Sequence, residues 1–169
     1  MKNIVLTGFM GTGKTTIGKA LSKRLQMRLV DVDEEIESSE KMTINDIFRT
    51  RGEGRFREIE TAMIKKISAE RNIIISTGGG AVLKDENMEA LRKNGIVFCL
   101  IASADTILER TARSEDRPLL KVDNPREKIN ELLACRRPFY EKAGIMIETD
   151  GKTPMEITEK IMEITGCRK

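Results

Sequence analysis

Gly8, Gly11, Gly13, Lys14 and Thr15, inside the stretch VLTGFMGTGKTT, satisfy the spacing G-x-x-x-x-G-K-[ST]. The spacing has a chemical reason: the glycines let successive backbone N–H groups turn inward around phosphate oxygens. The lysine then reaches the outer phosphates as a point charge, and the hydroxyl after it can ligate Mg²⁺. An apolar run precedes the loop and a helix-period segment follows it, the strand-loop-helix setting in which such a loop works. A nucleoside triphosphate is expected here, and the open question is what receives its terminal phosphoryl group.

In an open parallel sheet, ligands sit outside the carboxyl ends of the strands, so the residues that follow the first three strands should meet in one crevice. Asp31 and Asp33, in DVDEEIE, lie two apart at the end of the second apolar run and are expected to share a face. Gly78, Gly79 and Gly80, in STGGG, close the third run and allow a ligand to approach the backbone. Arg57 and Glu60, in GEGRFREIE, stand three apart on a helix and can pair. Each feature alone has an ordinary structural explanation: a helix cap, a flexible turn, a solvated ion pair. Together, beside a triphosphate, they suit a small acceptor with both a hydroxyl and an anionic group. Arg136, in CRRPFY, can supply a second cation, since arginine grips a carboxylate with two parallel bonds.

The rest of the composition narrows the chemistry. The 169-residue chain has no histidine, which removes Ser/His/Asp, Cys/His and H-E-x-x-H catalysis and leaves a carboxylate, a lysine or water as proton acceptor. With 39% hydrophobic and 34% charged residues and a net charge of +3, it reads as an ordinary globular domain without a polyanionic partner. Five Phe, one Tyr and no Trp cannot build the aromatic platform on which single-stranded nucleic acids stack. Cys99, Cys135 and Cys167 are odd in number and widely spaced, so reduced thiols are expected. No leader pattern and no apolar run of membrane-spanning length is visible, so the expectation is a cytoplasmic protein without membrane contact.

Around these residues, NIVLT, RLVDV, NIIIST, IVFCLIA and IMIET read as strands separated by helical pattern. Their near-continuous apolarity predicts a parallel sheet covered by helices on both faces, an α/β fold in a single domain. Ile17, Leu21 and Leu25 form one helical stripe. Thr153, Pro154 and Glu156 announce a capped last helix with Ile157, Ile161 and Ile164 at core spacing, and Ser103 and Asn124-Pro125 mark two further starts. Residues 33–70 hold helix after helix with no strand and read as an insertion. The charged stretch 111–123, TARSEDRPLLKVD, reads as a mobile loop.

At GFMGTGKTT, DVDEEIE, GEGRFREIE, STGGG, RPLL and RRPFYEKA the sequence resembles the shikimate kinase family, in the family's motif order and over essentially the whole chain. The resemblance implies a P-loop fold like that of the nucleoside monophosphate kinases, with a five-stranded parallel sheet in the order 2-3-1-4-5. It implies transfer of the γ-phosphate of ATP to the 3-hydroxyl of shikimate, with Mg²⁺, in aromatic amino-acid biosynthesis. Asp33 would contact the reacting hydroxyl, while Arg57, Arg136 and the backbone of Gly78, Gly79 and Gly80 would hold the substrate, with Glu60 orienting Arg57. Gly11, Thr12, Gly13, Lys14, Thr15 and Thr16 would cradle the phosphates. Thr15 would ligate the metal, with Asp31 and Ser76 completing its shell through water. Residues 111–123 would form the lid, with Arg117 reaching the phosphates, and adenine would lie between Arg110 and the Thr153-Pro154 turn. Thr15-Thr16, where many members carry Ser-Thr, keeps the hydroxyl.

Gluconate kinases and nucleoside monophosphate kinases share this architecture. Against them stand the paired Asp33 and Arg57 and the lack of an aromatic-rich base pocket. A GTP-dependent switch would need a guanine-reading N-K-x-D, which the sequence lacks, and no continuous basic stripe suggests a nucleic-acid-dependent ATPase. With small substrates and no evident apolar surface stripe, a monomer is expected.

Overall fold

The five apolar runs become β1 (Asn3–Gly8), β2 (Arg28–Asp31), β3 (Ile73–Ser76), β4 (Gly95–Ile101) and β5 (Ile145–Glu148), paired in parallel in the order β2-β3-β1-β4-β5. The computed structural model describes residues 2–112 and 124–167. Arg117 and positions 113–123 of the expected lid lie outside the described residues. Seven helices among the described residues connect the strands: α1 (Lys14–Leu25), α2 (Val32–Glu40), α3 (Ile44–Ser68), α4 (Asp85–Asn94), α5 (Ala104–Thr111), α6 (Pro125–Ala143) and α7 (Pro154–Ile164), with a 3₁₀ turn over Ala81–Leu83.

Because side chains alternate along a strand, each central strand feeds two cores. Ile4 and Leu6 of β1, Ile74 of β3 and Phe98 and Leu100 of β4 join Ile17 and Leu21 of α1 and Ile157 and Ile161 of α7 on one face. Val5, Ile73, Ile75, Val97 and Cys99 point the other way, against Ile36 of α2, Ile47, Ile64 and Ile67 of α3 and Ile129 of α6. Burial on both faces is why these strands read as unbroken apolar runs. β1 lies centrally, with Leu6 opposite Ser76 of β3, and Ser76 in turn opposite Asp31 of β2. The carboxyl ends of β1, β3 and β2 are thereby set side by side around the loop that leaves β1.

The expected caps form where the sequence sets them. Ser103 accepts from the Thr106 N–H, Asn124 from the Glu127 N–H, and Thr153 and Glu156 close a capping box at the start of α7. α3 breaks at Gly52, whose φ of 78° and ψ of 165° belong to a region reserved for glycine. The chain therefore turns before Phe56, Ile59, Met63 and Ile64 enter the core.

Two expectations need correction. The second strand stops at Asp31, because the Asp31 carboxylate accepts a 3.0 Å bond from the Asp33 N–H and opens α2. Asp33 consequently sits in the first turn of a helix, and strand alternation does not orient it. Ile164 is 40% exposed: α7 ends there, past the reach of the core that takes in Ile157 and Ile161.

Ile161 is fully buried, so Ile161→Ala should cost about 2–5 kcal/mol in a urea titration, as large-to-small core changes do. Ile164→Ala should cost well under about 1 kcal/mol, within the range of surface substitutions. Equal losses at the two positions would mean that α7 packs along a different stripe.

Candidate active site

The loop between β1 and α1 is built by conformation rather than by side-chain caps. Gly13 occupies the N-cap of α1 at φ 97°, a left-handed conformation costly for other residues, and provides no side-chain cap to the first helical N–H groups. Nor does any acidic residue stand in the first turn, so the positive end of the helix faces the loop unopposed. The Lys14 ammonium donates to the Gly8 and Phe9 carbonyls at 2.8 and 3.0 Å, and the Thr12 hydroxyl donates to the Phe9 carbonyl at 2.7 Å. Thr15 and Thr16 are exposed on the first turn of α1.

Beside this loop, α2, α3 and the triglycine turn after β3 converge. Arg57 donates through Nη1 to Glu60 Oε2 at 2.8 Å and through Nη2 to Glu53 Oε1 at 3.1 Å. Its guanidinium lies 5.1 Å from the Phe56 ring centre. Only 15% of the Arg57 side chain and 1% of the Glu60 side chain are exposed. A Cβ on Gly80 would sit 2.5 Å from both Arg57 terminal nitrogens; glycine is required there for the guanidinium to occupy its place. A Cβ on Gly78 would meet Asp33 Oδ1 at 2.9 Å and Glu60 Oε1 at 3.4 Å. Both of those oxygens are buried without a hydrogen-bond partner among the described residues.

The electrostatics follow from this crowding. Burial, and then the nearby Asp31 and Glu60 charges, push the Asp33 carboxyl from 3.8 up to about 7, against an opposing pull from Lys14. Burial also pushes Glu60 up, but Arg57, Lys84 and Arg136 act to keep it ionised. Burial works against the Arg57 charge too, yet its bonds to Glu60 and Glu53 outweigh that penalty and raise its pKa. A fixed ion pair and a carboxyl poised near neutrality thus share one crevice.

The remaining expected residues fall around this centre. Arg136, on α6, lies 5.6 Å from the ring centre of Phe9 in the phosphate loop, close enough for its charge to act on Glu60. Gly79 backs onto the loop, where a Cβ would stand 3.2 Å from the Gly8 carbonyl oxygen. Asp31 uses one carboxylate oxygen to cap α2 and neighbours the buried Ser76 in the sheet. Arg110 bonds the Gly11 carbonyl at 3.3 Å and Thr149 Oγ1 at 3.1 Å, which joins α5 to the loop and to the segment leading to Thr153 and Pro154. The Thr153 hydroxyl is occupied by its capping box. Three contributors are absent from the expected set. Glu53 is the second carboxylate on Arg57, four residues before it, a spacing the sequence does display. Phe9 lies inside the phosphate-loop motif. Tyr140, one helical turn beyond Arg136, donates to the Gly79 carbonyl at 2.9 Å.

No cluster of three or more metal-binding side chains occurs among the described residues. What the site offers is a hydroxyl on Thr15, the Asp31 carboxylate and the Ser76 hydroxyl, all hard oxygen donors. That donor set fits Mg²⁺, which keeps several waters and takes further oxygens from substrate phosphates.

Comparison with known proteins identifies the family. The sequence pattern of the family described as shikimate kinase matches residues 10–165. The shikimate kinase of Thermodesulfovibrio yellowstonii is 55% identical over 163 residues, covering 96% of this chain and 94% of that protein. That of Caldicellulosiruptor bescii is 48% identical over 97% of this chain and 95% of its own length. Among solved structures, the shikimate kinase from Acinetobacter baumannii in complex with shikimate superposes with a TM-score of 0.93 at 37% identity, covering all of this chain and 95% of that one.

Asp33 generates a pH prediction. Its folded-state pKa lies above the unfolded value, so the folded chain binds the extra proton between 3.8 and about 7, and stability should fall as pH rises through that window. Ordinary carboxyls titrate in the lower part of that window, but with no histidine in the chain few other side chains titrate in its upper part. Asp33→Asn should match the wild type in urea near the acid end of the window and exceed it at pH 8. A pH-independent difference between the two proteins would mean that Asp33 titrates normally.

Proposed function

This chain belongs to the shikimate kinase family, whose reaction is phosphorylation of shikimate by ATP, and we propose that its residues divide that reaction between a phosphate-holding loop and an acceptor-reading crevice. One observation carries the proposal: Asp33 and the Glu60-tethered Arg57 meet across the triglycine turn, directly beside the phosphate loop.

The Arg57 guanidinium, fixed by Glu60 and Glu53, presents a planar donor to the shikimate carboxylate, and Arg136 supplies the second cation. The backbone of Gly78, Gly79 and Gly80 forms the floor beneath the ring. Asp33 receives the 3-hydroxyl and aligns it with the γ-phosphate. A pKa of about 7 also suits it to take the hydroxyl proton, because a general base works best with a pKa near the operating pH. No histidine competes for that task.

On the nucleotide side, Gly11, Thr12, Gly13 and Thr16 with the N-terminus of α1 hold the phosphates. Lys14, now bonded to the loop's own carbonyls, turns toward the outer phosphates. Thr15 directly, and Asp31 and Ser76 through water, would hold Mg²⁺, which supplies neutralisation of phosphate charge when bound. Arg110 and the Thr153-Pro154 turn flank adenine. Residues 33–70 serve as the acceptor-holding insertion, and 111–123, with Arg117, as the lid that excludes water. The transferred group is metaphosphate-like, so positioning and charge supply most of the catalysis.

No helix among the described residues is long and apolar enough to cross a membrane. We read the protein as a cytoplasmic enzyme that acts as a monomer on small anionic substrates.

With ATP and Mg²⁺, turnover should be seen with shikimate and be negligible with gluconate or AMP; preference for either of these would overturn the acceptor reading. Arg57→Lys keeps the charge but loses the planar fork. Its KM for shikimate should rise about tenfold or more, the worth of a charged hydrogen bond, with little change in ATP affinity by calorimetry. Equal weakening of both ligands would make Arg57 a support of the fold.

A further inference from the structure

The three carbonyls of the triglycine turn are all engaged, but in different ways. The Gly78 carbonyl accepts from the Ala81 N–H at 3.2 Å and the Gly80 carbonyl from the Leu83 N–H at 3.1 Å. Both bonds are local to the 3₁₀ turn. The Gly79 carbonyl accepts instead from the Tyr140 hydroxyl at 2.9 Å, across 61 residues of sequence. A glycine peptide without side chains rotates freely unless its polar groups are held, so this bond fixes the plane that faces the acceptor crevice.

Tyr140 is well placed for that. It is 4% exposed, and the Arg136 guanidinium, one turn earlier on α6, lies near enough for its charge to act on the phenol. The Tyr140 ring belongs to the core cluster and borders a recess lined by Ile101, Ala102, Leu133 and Met146. Burial pushes the phenol up to about 12, and it remains a donor throughout the working pH range.

We propose that Tyr140 is a positioning residue for the acceptor: from the helix that carries Arg136, its hydroxyl holds the Gly79 carbonyl, so that the glycine floor is set in place before shikimate binds. The inference rests on the reading of this crevice as the shikimate site. It goes further in assigning a role to a residue that touches neither substrate. When shikimate binds against the Gly79 peptide and Arg136 turns to its carboxylate, the charge around the phenol changes.

The test uses kinetics and a label. Tyr140→Phe removes one neutral hydrogen bond, and its KM for shikimate should rise about three- to tenfold, with KM for ATP and kcat within about twofold. Because Tyr140 is the only tyrosine in the chain, biosynthetic 3-fluorotyrosine labels this position alone. The single ¹⁹F resonance of the otherwise wild-type enzyme should shift on adding shikimate and stay in place with ADP. This readout requires no variant to fold. A shikimate KM within twofold of wild type in Tyr140→Phe, a parallel rise of both KM values with a lowered Tm, or a resonance indifferent to shikimate would overturn the positioning role. If the wild-type enzyme itself failed to bind or phosphorylate shikimate, the reading of the crevice would fall instead.

Discussion

Two carboxyl groups, Asp33 and Glu60, are buried against the same glycine, and much of the site can be understood as the consequence. Buried like charges are costly, so one must be neutralised by a partner and the other by a proton or a ligand. Glu60 takes the first course: Arg57 is locked to it, and Gly80 lacks a side chain so that the guanidinium can lie there. Asp33 takes the second, with a pKa lifted to about 7. Had both carboxylates been exposed, neither the rigid arginine nor the near-neutral acid would exist.

That asymmetry assigns the chemistry. A carboxylate already paired to arginine is a poor proton acceptor but a good bracket. A desolvated carboxyl beside a lysine-bearing phosphate loop can orient a hydroxyl and accept its proton as the phosphoryl group leaves. In a chain without histidine a near-neutral base has to come from environment, and burial beside Asp31 and Glu60 gives Asp33 the pKa that the proposed role needs. The sheet contributes by register: Asp31, Ser76 and Leu6 end side by side, so the loop after β1 and the turn after β3 are neighbours by construction.

How much of this the sequence discloses depends on the range of each interaction. Strands buried on both faces announce themselves as apolar runs, and helix starts at Ser103, Asn124 and Thr153 are set by bonds within four residues. The phosphate loop is likewise local. Asp31 is harder, because an aspartate after an apolar run can extend a strand or cap a helix, and the 3.0 Å bond from the Asp33 N–H decides for the cap. Ile164 keeps the helical period of the core but lies where α7 runs out of sheet to cover. Tyr140 is invisible at sequence level, since its partner is a backbone carbonyl 61 residues away and no pattern of side chains records it. The raised pKa of Asp33 belongs to the same class: two aspartates and a glutamate can be seen in the sequence, but their burial around Gly78 cannot.

Turnover of Asp33→Asn with shikimate and ATP is the most direct test of whether this buried carboxyl reads the acceptor. The change is nearly isosteric and leaves the phosphate loop untouched, so ATP affinity should hold. Loss of a group that aligns the hydroxyl and takes its proton should lower kcat by roughly 10²- to 10⁴-fold. Retention of more than about a tenth of wild-type turnover, outside that range, would contradict the account and leave Asp33 as no more than a residue in the first turn of α2.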